Sequence, residues 1–365
     1  MEFQKMDFKK ELAKVCPKLR NGADIYAWGA GNGFKNLREQ FRIVHNIELE
    51  DFVFGFVDND DKKHGVEFYG KKVLSPDELD RDNAVVLISV INDKSRSVEK
   101  QLLGMGFNFR HDFFDRAYVI WLLRRHMRYQ LSRFKDKHAG ERCFIIGAGP
   151  SLRARDLDLL KDEVTFATNR IYCMFDKTSW RPSYYAIEDD LLLKEEHRTI
   201  CDAIGGVKFI WSYSAFLCEG FKAENAYFYD IDLRAAYRQY PYEVDFGSGP
   251  DVFYWASTVT YTCLQLAALM GFKEIYLLGV DNDFPIVRKA DGEIIYRDIK
   301  AHFHPEKTNF YYTPNIDLLI AGYEAAQKHA SAHGYKIYNA TRGGALDVFE
   351  RADFDSLFPH KEVLL

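Results

Sequence analysis

Paired cysteine and surplus positive charge are both missing from this chain, and each absence removes a class of function. There are six cysteines, Cys16, Cys143, Cys173, Cys201, Cys218 and Cys263, and no C-x-x-C pair among them. Zinc ribbons and thioredoxin-like motifs are excluded, and reduced thiols in a cytosolic protein are expected. The formal net charge of -5 lacks the basic excess of a general nucleic-acid binder, so no nucleic-acid partner is expected. No apolar run approaches the roughly 20 residues of a transmembrane helix. Met1-Glu2-Phe3-Gln4-Lys5 has no apolar run behind a basic stretch, so no signal peptide and a cytoplasmic location are expected. Neither an internal repeat nor a low-complexity segment is present. What remains is a folded α/β-type composition, 47% hydrophobic and 28% charged over 365 residues, a length that suits two domains. Aromatic residues are plentiful, with 22 Tyr and 29 Phe. That content builds a large core and also suits pockets for sugars or bases.

The pattern starts with an expected amphipathic helix from Phe3 to Leu19, with Phe8, Leu12 and Val15 on its apolar stripe and Gly22 closing it. Ile25-Tyr26-Ala27-Trp28 reads as a strand that breaks into Gly29-Ala30-Gly31-Asn32-Gly33, with a helix from Phe34. Phe34 stands where the third glycine of G-x-G-x-x-G belongs, which puts tight packing of that helix on its strand in doubt. A second strand, Phe52 to Val57, ends at Asp58, where an acidic side chain suits either a ribose or a solvated turn. Further strands are expected at Val73-Leu74 and from Val85 to Val90. Residues 24 to 110 resemble the small Rossmann-like domains attached to sugar-modifying enzymes. Ala117 to Phe134 forms an apolar, arginine-rich helix carrying Arg124, Arg125, Arg128 and Arg133. It suits a connector between domains, or a peripheral contact with the anionic surface of the inner membrane.

From Cys143 the strand-helix alternation restarts. Strands are expected at Phe144–Gly147, Val164–Asn169, Tyr184–Ile187, Lys208–Trp211, Ala226–Tyr229, Glu274–Gly279 and Lys336–Asn339, with helices from Trp255 to Met270 and from Asp317 to His333. Such alternation gives a mainly parallel sheet covered on both faces. Ligands of such sheets bind at the carboxyl ends of the strands. The polar residues there are Gly147-Ala148-Gly149-Pro150-Ser151, Thr168-Asn169-Arg170, Glu188-Asp189-Asp190 and Asp281-Asn282-Asp283. Ser257 and Thr258 stand at a helix start, and His302-Phe303-His304 lies in a late loop. The glycines let backbone approach a ligand closely. Pro150 and Ser151 suit the first turn of the following helix, with Ser151 as its cap, and a helix start suits a phosphate; a plain turn fits the same residues. Asn339 to Gly344 fits a phosphate loop or a turn.

In this order, IIGAGPSL (145–152), ATNRIY (167–172), STVTYTCLQLAALMGFKEIYLLGVDNDF (257–284), HFH (302–304) and HGYKIYNATRGGALDVF (333–349) resemble one superfamily, the DUF115 or MptE-like group. It unites bacterial sialyltransferases of glycosyltransferase family 42, motility-associated-factor (Maf) flagellin glycosyltransferases and archaeal 6-hydroxymethylpterin diphosphokinases. The resemblance implies a GT-A-like, Rossmann-type catalytic domain. The domains expected are a Rossmann-like domain at 1–115, a basic connecting helix at 116–140 and the catalytic domain at 141–365. In the sialyltransferases the glycine loop and the Asn after the second strand hold the CMP donor. Carried over, this implies Gly147, Ala148, Gly149, Pro150, Ser151 and Asn169. Their helix start implies Ser257 and Thr258, and their general base implies His302 or His304. Their tyrosines that assist the leaving phosphate imply Tyr311 and Tyr312. Glu188 and Asp189 stand where the sialyltransferases have an Asn, a departure toward the other two branches.

The resemblance implies transfer of a nonulosonate, sialic-acid-like sugar from a CMP-activated donor to a glycan or protein acceptor. A histidine suits removal of the acceptor proton, and His302 is favoured because it lies nearer the strand that delivers Asp281. Two other classes stay open. One is pyrophosphate transfer from ATP to a hydroxymethyl group. Asp281 and Asp283 have the D-x-D form that holds a divalent metal such as Mg2+. The other is a non-catalytic nucleotide-binding protein of a surface-polysaccharide pathway. The oligomeric state is not legible.

Overall fold

In the computed structural model the described residues are 7–91, 93–218, 220–237, 240–284, 286–289, 291–296, 302–303 and 314–359. The chain divides into two compact units, Met1–Met127 and Arg128–Leu365.

The first unit opens with two short helices, α1 (Phe8–Ala13) and α2 (Pro17–Arg20), where one long helix was expected. Pro17 has no N–H to continue the first helix and instead starts the second. Phe8 and Leu12 reach the core, but Val15, expected on the same stripe, is 43% exposed. There follow β1 (Asp24–Trp28), α3 (Asn32–His45), β2 (Gly55–Val57), β3 (Glu67–Phe68), β4 (Lys71–Leu74), β5 (Ala84–Ile88), α4 (Asp93–Gly104), β6 (Phe113–Phe114) and α5 (Arg116–Ser132), the last of which runs into the second unit. The sheet order is β3-β4-β2-β1-β5-β6, parallel except for the β3–β4 pair. Every residue of β5 is buried, as befits a strand covered on both faces.

Helix α3 does pack tightly on the sheet, which removes the doubt raised by Phe34. The close approach falls one residue earlier: a Cβ on Gly33 would stand 2.2 Å from the Ser89 carbonyl oxygen. Phe34 is fully buried, with its ring edge-on to Phe56 at 4.7 Å. The Asp58 carboxylate accepts from the Ala30 N–H at 2.9 Å and from Lys63 Nζ at 2.8 Å, so it clasps the glycine turn of its own chain. Burial alone would raise that carboxyl, but Lys63 and the N–H groups of Asp60 and Ala30 hold it below the usual range.

The second unit contains β7 (Arg142–Ile146), α6 (Ala154–Leu159), β8 (Val164–Thr168), β9 (Tyr184–Ile187), α7 (Asp190–Ala203), β10 (Val207–Trp211), α8 (Ser212–Phe216), β11 (Ala226–Tyr229), β12 (Ile231–Asp232), β13 (Phe253–Tyr254), α9 (Val259–Leu269), β14 (Glu274–Leu278), β15 (Ile286–Arg288), β16 (Ile294–Tyr296), α10 (Ile316–His333), β17 (Lys336–Asn339) and β18 (Glu350–Arg351). Its main sheet has the order β11-β10-β9-β8-β7-β14-β17-β18, and every neighbouring pair is parallel. Helix α9 was expected to bury one stripe. It is buried on all sides, Ala268 excepted, and sits in the main core with Tyr323 of α10. Its Gln265 is fully engaged, donating to the Tyr254 carbonyl at 2.9 Å and accepting from the N–H of Tyr254 at 2.8 Å and of Gly247 at 3.2 Å. Left-handed Gly271 and Gly334 end α9 and α10. Among the described residues, no helix is long and apolar enough to cross a membrane.

Candidate functional site

Strands β7 and β14 lie side by side, and the chain leaves β7 toward β8 but β14 toward β17. The strand order therefore reverses between Ile146 and Leu278, the place where open parallel sheets bind ligands. The residues there close on each other. The Gly147 N–H donates to the Leu278 carbonyl at 2.9 Å and the Gly149 N–H to the Gly279 carbonyl at 2.8 Å. Ser151 donates its hydroxyl to Asp281 Oδ2 at 2.8 Å and its N–H to Oδ1 at 3.3 Å. Helix α6 begins only at Ala154, behind Arg153, so Ser151 is neither a cap nor part of a first turn. The carboxylate opposite has drawn it away.

The glycines have a reason that does not involve a ligand. A Cβ on Gly147 would stand 2.4 Å from the Gly279 carbonyl oxygen, and one on Gly149 would stand 1.8 Å from Asp281 Oδ2. Gly344 (φ +76°) seals the other side, 2.7 Å from the Asp281 carbonyl oxygen by the same measure. Asp281 itself is 9% exposed. Burial raises its carboxyl above the ordinary range, the two Ser151 bonds oppose the rise, and Asp283 adds to it. Pro150 is exposed and Ala148 half-buried. The Ala148 carbonyl accepts from the Phe303 N–H at 3.0 Å, which brings half-buried His302 to within one residue of the loop. His304, Tyr311 and Tyr312 lie outside the described residues.

Asn169 after β8, Ser257 before α9 and Asn282 after β14 are left-handed, with φ of 46°, 59° and 53°. Asparagine tolerates that backbone; serine rarely adopts it. The Asn169 carbonyl is held by the Tyr185 hydroxyl at 2.9 Å. Both asparagine side chains, however, have a buried Oδ1 without a hydrogen-bond partner. Such an orphaned acceptor costs about 1–3 kcal/mol, which an N–H or O–H from a ligand would remove. Ser257 Oγ accepts from the Asn315 N–H at 3.3 Å, and Thr258 caps α9 through the Thr260 N–H at 3.3 Å. These two are occupied in starting α10 and α9.

Glu188 and Asp189, adjacent in sequence, part company. Asp189 is exposed and caps α7, accepting from the Leu192 N–H at 2.8 Å. Glu188 is buried at the end of β9. Its Oε1 accepts from the Thr262 hydroxyl of α9 and, at 3.5 Å, from the Tyr229 hydroxyl, while its carbonyl accepts from the Ser214 hydroxyl at 2.6 Å. Burial pushes the Glu188 carboxyl up to about 7, against the pull of Thr262 and Tyr229. It is thus a carboxyl that titrates near neutrality.

The Asn339–Gly344 segment is a buttress. Thr341 Oγ1 accepts from the Val280 N–H at 3.1 Å, and Arg342 pairs with buried Asp156 and with Asp355, each at 2.5 Å. Among the described residues no three His, Cys, Asp or Glu side chains converge as metal ligands. Asp281, expected to hold Mg2+ with Asp283, has both carboxylate oxygens on Ser151. Among the described residues the side chains around Asp281 do not make a metal cage. Sequence reasoning missed Asn282, read only as the spacer of D-x-D, and missed the Thr262 and Tyr229 hydroxyls around Glu188. Thr262 stands one helical turn beyond Thr258, a spacing that put both on one face.

Residues 122–286 match the model of the family described as 6-hydroxymethylpterin diphosphokinase MptE-like. That stretch holds the glycine loop, Asn169, Glu188, Ser257 and Asp281, and stops before His302. No curated protein matches the chain. Among solved structures, the chain is similar to the Maf glycosyltransferase from Magnetospirillum magneticum AMB-1, with 15% identity and a TM-score of 0.37. The match covers 96% of this chain but only 63% of that one.

Proposed function

We propose that the second unit is a transferase acting on a nucleotide-activated donor, and that the donor is a CMP-linked, sialic-acid-like sugar passed to a glycan or protein acceptor. The observation that carries this reading is the orphaned Asn169 Oδ1, held in left-handed backbone beside the seam where the strand order reverses. Its missing partner is a donor, which a ribose hydroxyl or the exocyclic amine of cytosine supplies. Glu188, which burial raises to about 7, stays largely protonated below that pH and adds little negative charge at the carboxyl end of the sheet. In the transfer, the acceptor oxygen bonds to the anomeric carbon as the bond to the phosphate oxygen breaks. CMP leaves with that electron pair, and the acceptor proton passes to His302.

Titration calorimetry with CMP, CDP, UDP, GDP and ATP tests this. Asn169→Gly keeps the backbone and deletes the amide, and cytidine nucleotide affinity should fall about tenfold, the size of one lost hydrogen bond. His302→Ala should lower turnover about a hundredfold with affinity unchanged. A folded sample that binds no cytidine nucleotide overturns the reading.

The match over residues 122–286 favours a second reading, pyrophosphate transfer from ATP to a hydroxymethyl group. A substrate hydroxyl would then attack the β-phosphorus, with AMP leaving. Release of AMP from ATP only in the presence of a pterin alcohol would establish it in place of the first.

A further inference from the structure

Helix α5 carries four arginines and a histidine and no acidic residue. Within the first unit it buries Val119, Leu122 and Leu123 in the core. Its other side is not simply polar. Trp121 is 45% exposed, whereas Trp28 and Trp180 are each 1% exposed. Phe109, before β6, is 36% exposed.

An unbroken run of rings and cations joins these two aromatics. The Arg110 guanidinium lies 5.2 Å from the Phe109 ring centre and 5.9 Å from that of Tyr118. The Tyr118 and Trp121 rings are 5.4 Å apart, and the Arg125 guanidinium is 5.7 Å from Trp121. The run is fixed to the core, because Tyr118 stacks on buried Phe114 at 5.1 Å. Arg110 is set by left-handed backbone (φ 59°) and by its N–H on the Phe113 carbonyl at 2.8 Å. Arg110, Arg124 and Arg125 are all exposed. The acids nearest in sequence are engaged elsewhere. Asp112 is 2% exposed and bonded to Asn108, His111 and Lys18. Asp115 accepts from the Tyr118 N–H at 2.9 Å.

Guanidinium groups bind phosphate oxygens in pairs. Indole and phenol rings favour the headgroup level of a bilayer, with an apolar body and a polar edge. The two chemistries alternate here on one rigid surface. A second copy of the chain does not suit it, because a two-fold contact would set arginines against arginines. A nucleic acid does not suit it either, since the patch is short and the chain is net acidic.

We propose that the Phe109–Arg110–Tyr118–Trp121–Arg125 run is a membrane-contact patch. It would lay the first unit on an anionic bilayer, with lipid phosphates among the arginines and the Trp121 ring at headgroup depth. The patch belongs to the first unit and the candidate nucleotide site to the second, so the proposal does not rest on the function proposed above. Each arginine at an anionic surface is worth about fivefold in partitioning.

The test uses the full chain with vesicles of phosphatidylcholine alone, or of phosphatidylcholine and phosphatidylglycerol in equal parts. The protein should sediment with the anionic vesicles only, release at high salt, and show a blue shift of tryptophan emission. Arg110→Gln with Arg125→Gln should weaken binding by about 25-fold. Trp121→Ser should abolish the blue shift while leaving circular dichroism unchanged. Four outcomes overturn the proposal. They are failure of folded wild-type protein to sediment with anionic vesicles, equal binding by both variants, a concentration-dependent dimer that Trp121→Ser abolishes, and stabilisation by free inorganic phosphate without vesicle binding.

Discussion

Exchange of Glu188 for glutamine isolates the cost of burying a carboxyl without a cation. In the folded chain this group titrates at about 7, against an ordinary value of 4.5. Below the ordinary value it is protonated in both folded and unfolded chains and contributes no difference. As pH rises from there to about 7, the unfolded chain releases the proton while the folded chain keeps it, so stability falls. Above 7 the loss is complete. At about 1.4 kcal/mol per pH unit it amounts to about 3 kcal/mol. Glutamine keeps the Oε1 acceptor for Thr262 and Tyr229 and carries N–H where the protonated acid carried O–H. The variant should therefore match wild type near pH 4.5 and exceed it by about 3 kcal/mol at pH 8, a rise of roughly 6–12 °C in Tm for a domain of this size. Denaturant unfolding followed by tryptophan fluorescence at several pH values measures the difference directly. Other buried acids, Asp156 and Asp281 among them, are common to both proteins and cancel. If Glu188→Gln is no more stable than wild type at pH 8, or if its advantage persists undiminished at pH 4.5, the account of Glu188 as a neutral buried acid is refuted.

Gly149→Ala should destabilise the second unit by about 2–3 kcal/mol, because its Cβ would stand 1.8 Å from Asp281 Oδ2 and 2.7 Å from the Gly279 carbonyl oxygen. Gly205→Ala, with nothing within 4 Å of the new carbon, is the control and should change stability by less than about 1 kcal/mol; parallel urea titrations compare them. Arg342→Ala should cost about 3 kcal/mol near pH 8, since Asp156, 1% exposed, loses its close guanidinium and keeps Arg155 at 3.9 Å. Burial already raises the Asp156 carboxyl, so protonation should relieve the defect, and the loss measured by thermal melts should shrink as the pH is lowered toward 5.

The strands were legible because a parallel sheet covered on both faces needs runs of apolar residues. Tyr184–Ile187, Ala226–Tyr229 and Lys336–Asn339 appear in the structure with the expected bounds. The first helix was misread because periodicity outweighed Pro17, and α9 because Thr260, Thr262 and Gln265 look like a solvent face. Each of them is buried, and the Thr262 hydroxyl and the Gln265 amide have found partners. Asp189 and Glu188 could not be told apart in sequence. Only the packing of Thr262 from α9 and Tyr229 from β11 decides which carboxyl is enclosed.

The glycine loop shows why a motif can be recognised and its local purpose still missed. Gly147, Gly149 and Ser151 suited either a phosphate site or a plain turn in the sequence, because their partner lies elsewhere in the chain: Ser151 and Asp281 are 130 residues apart. Once Asp281 fills that place, the loop N–H groups of Gly147, Gly149 and Ser151 all have acceptors within the chain. The unmet hydrogen-bonding capacity then sits to either side, on Asn169 beyond β8 and on Asn282 beyond β14. On the function proposed above, this closed seam would serve as a floor beneath the donor, with an orphaned acceptor to either side. On that proposal the two asparagines would discriminate among nucleotides, while Gly147 and Gly149 allow the close approach that keeps the floor flat.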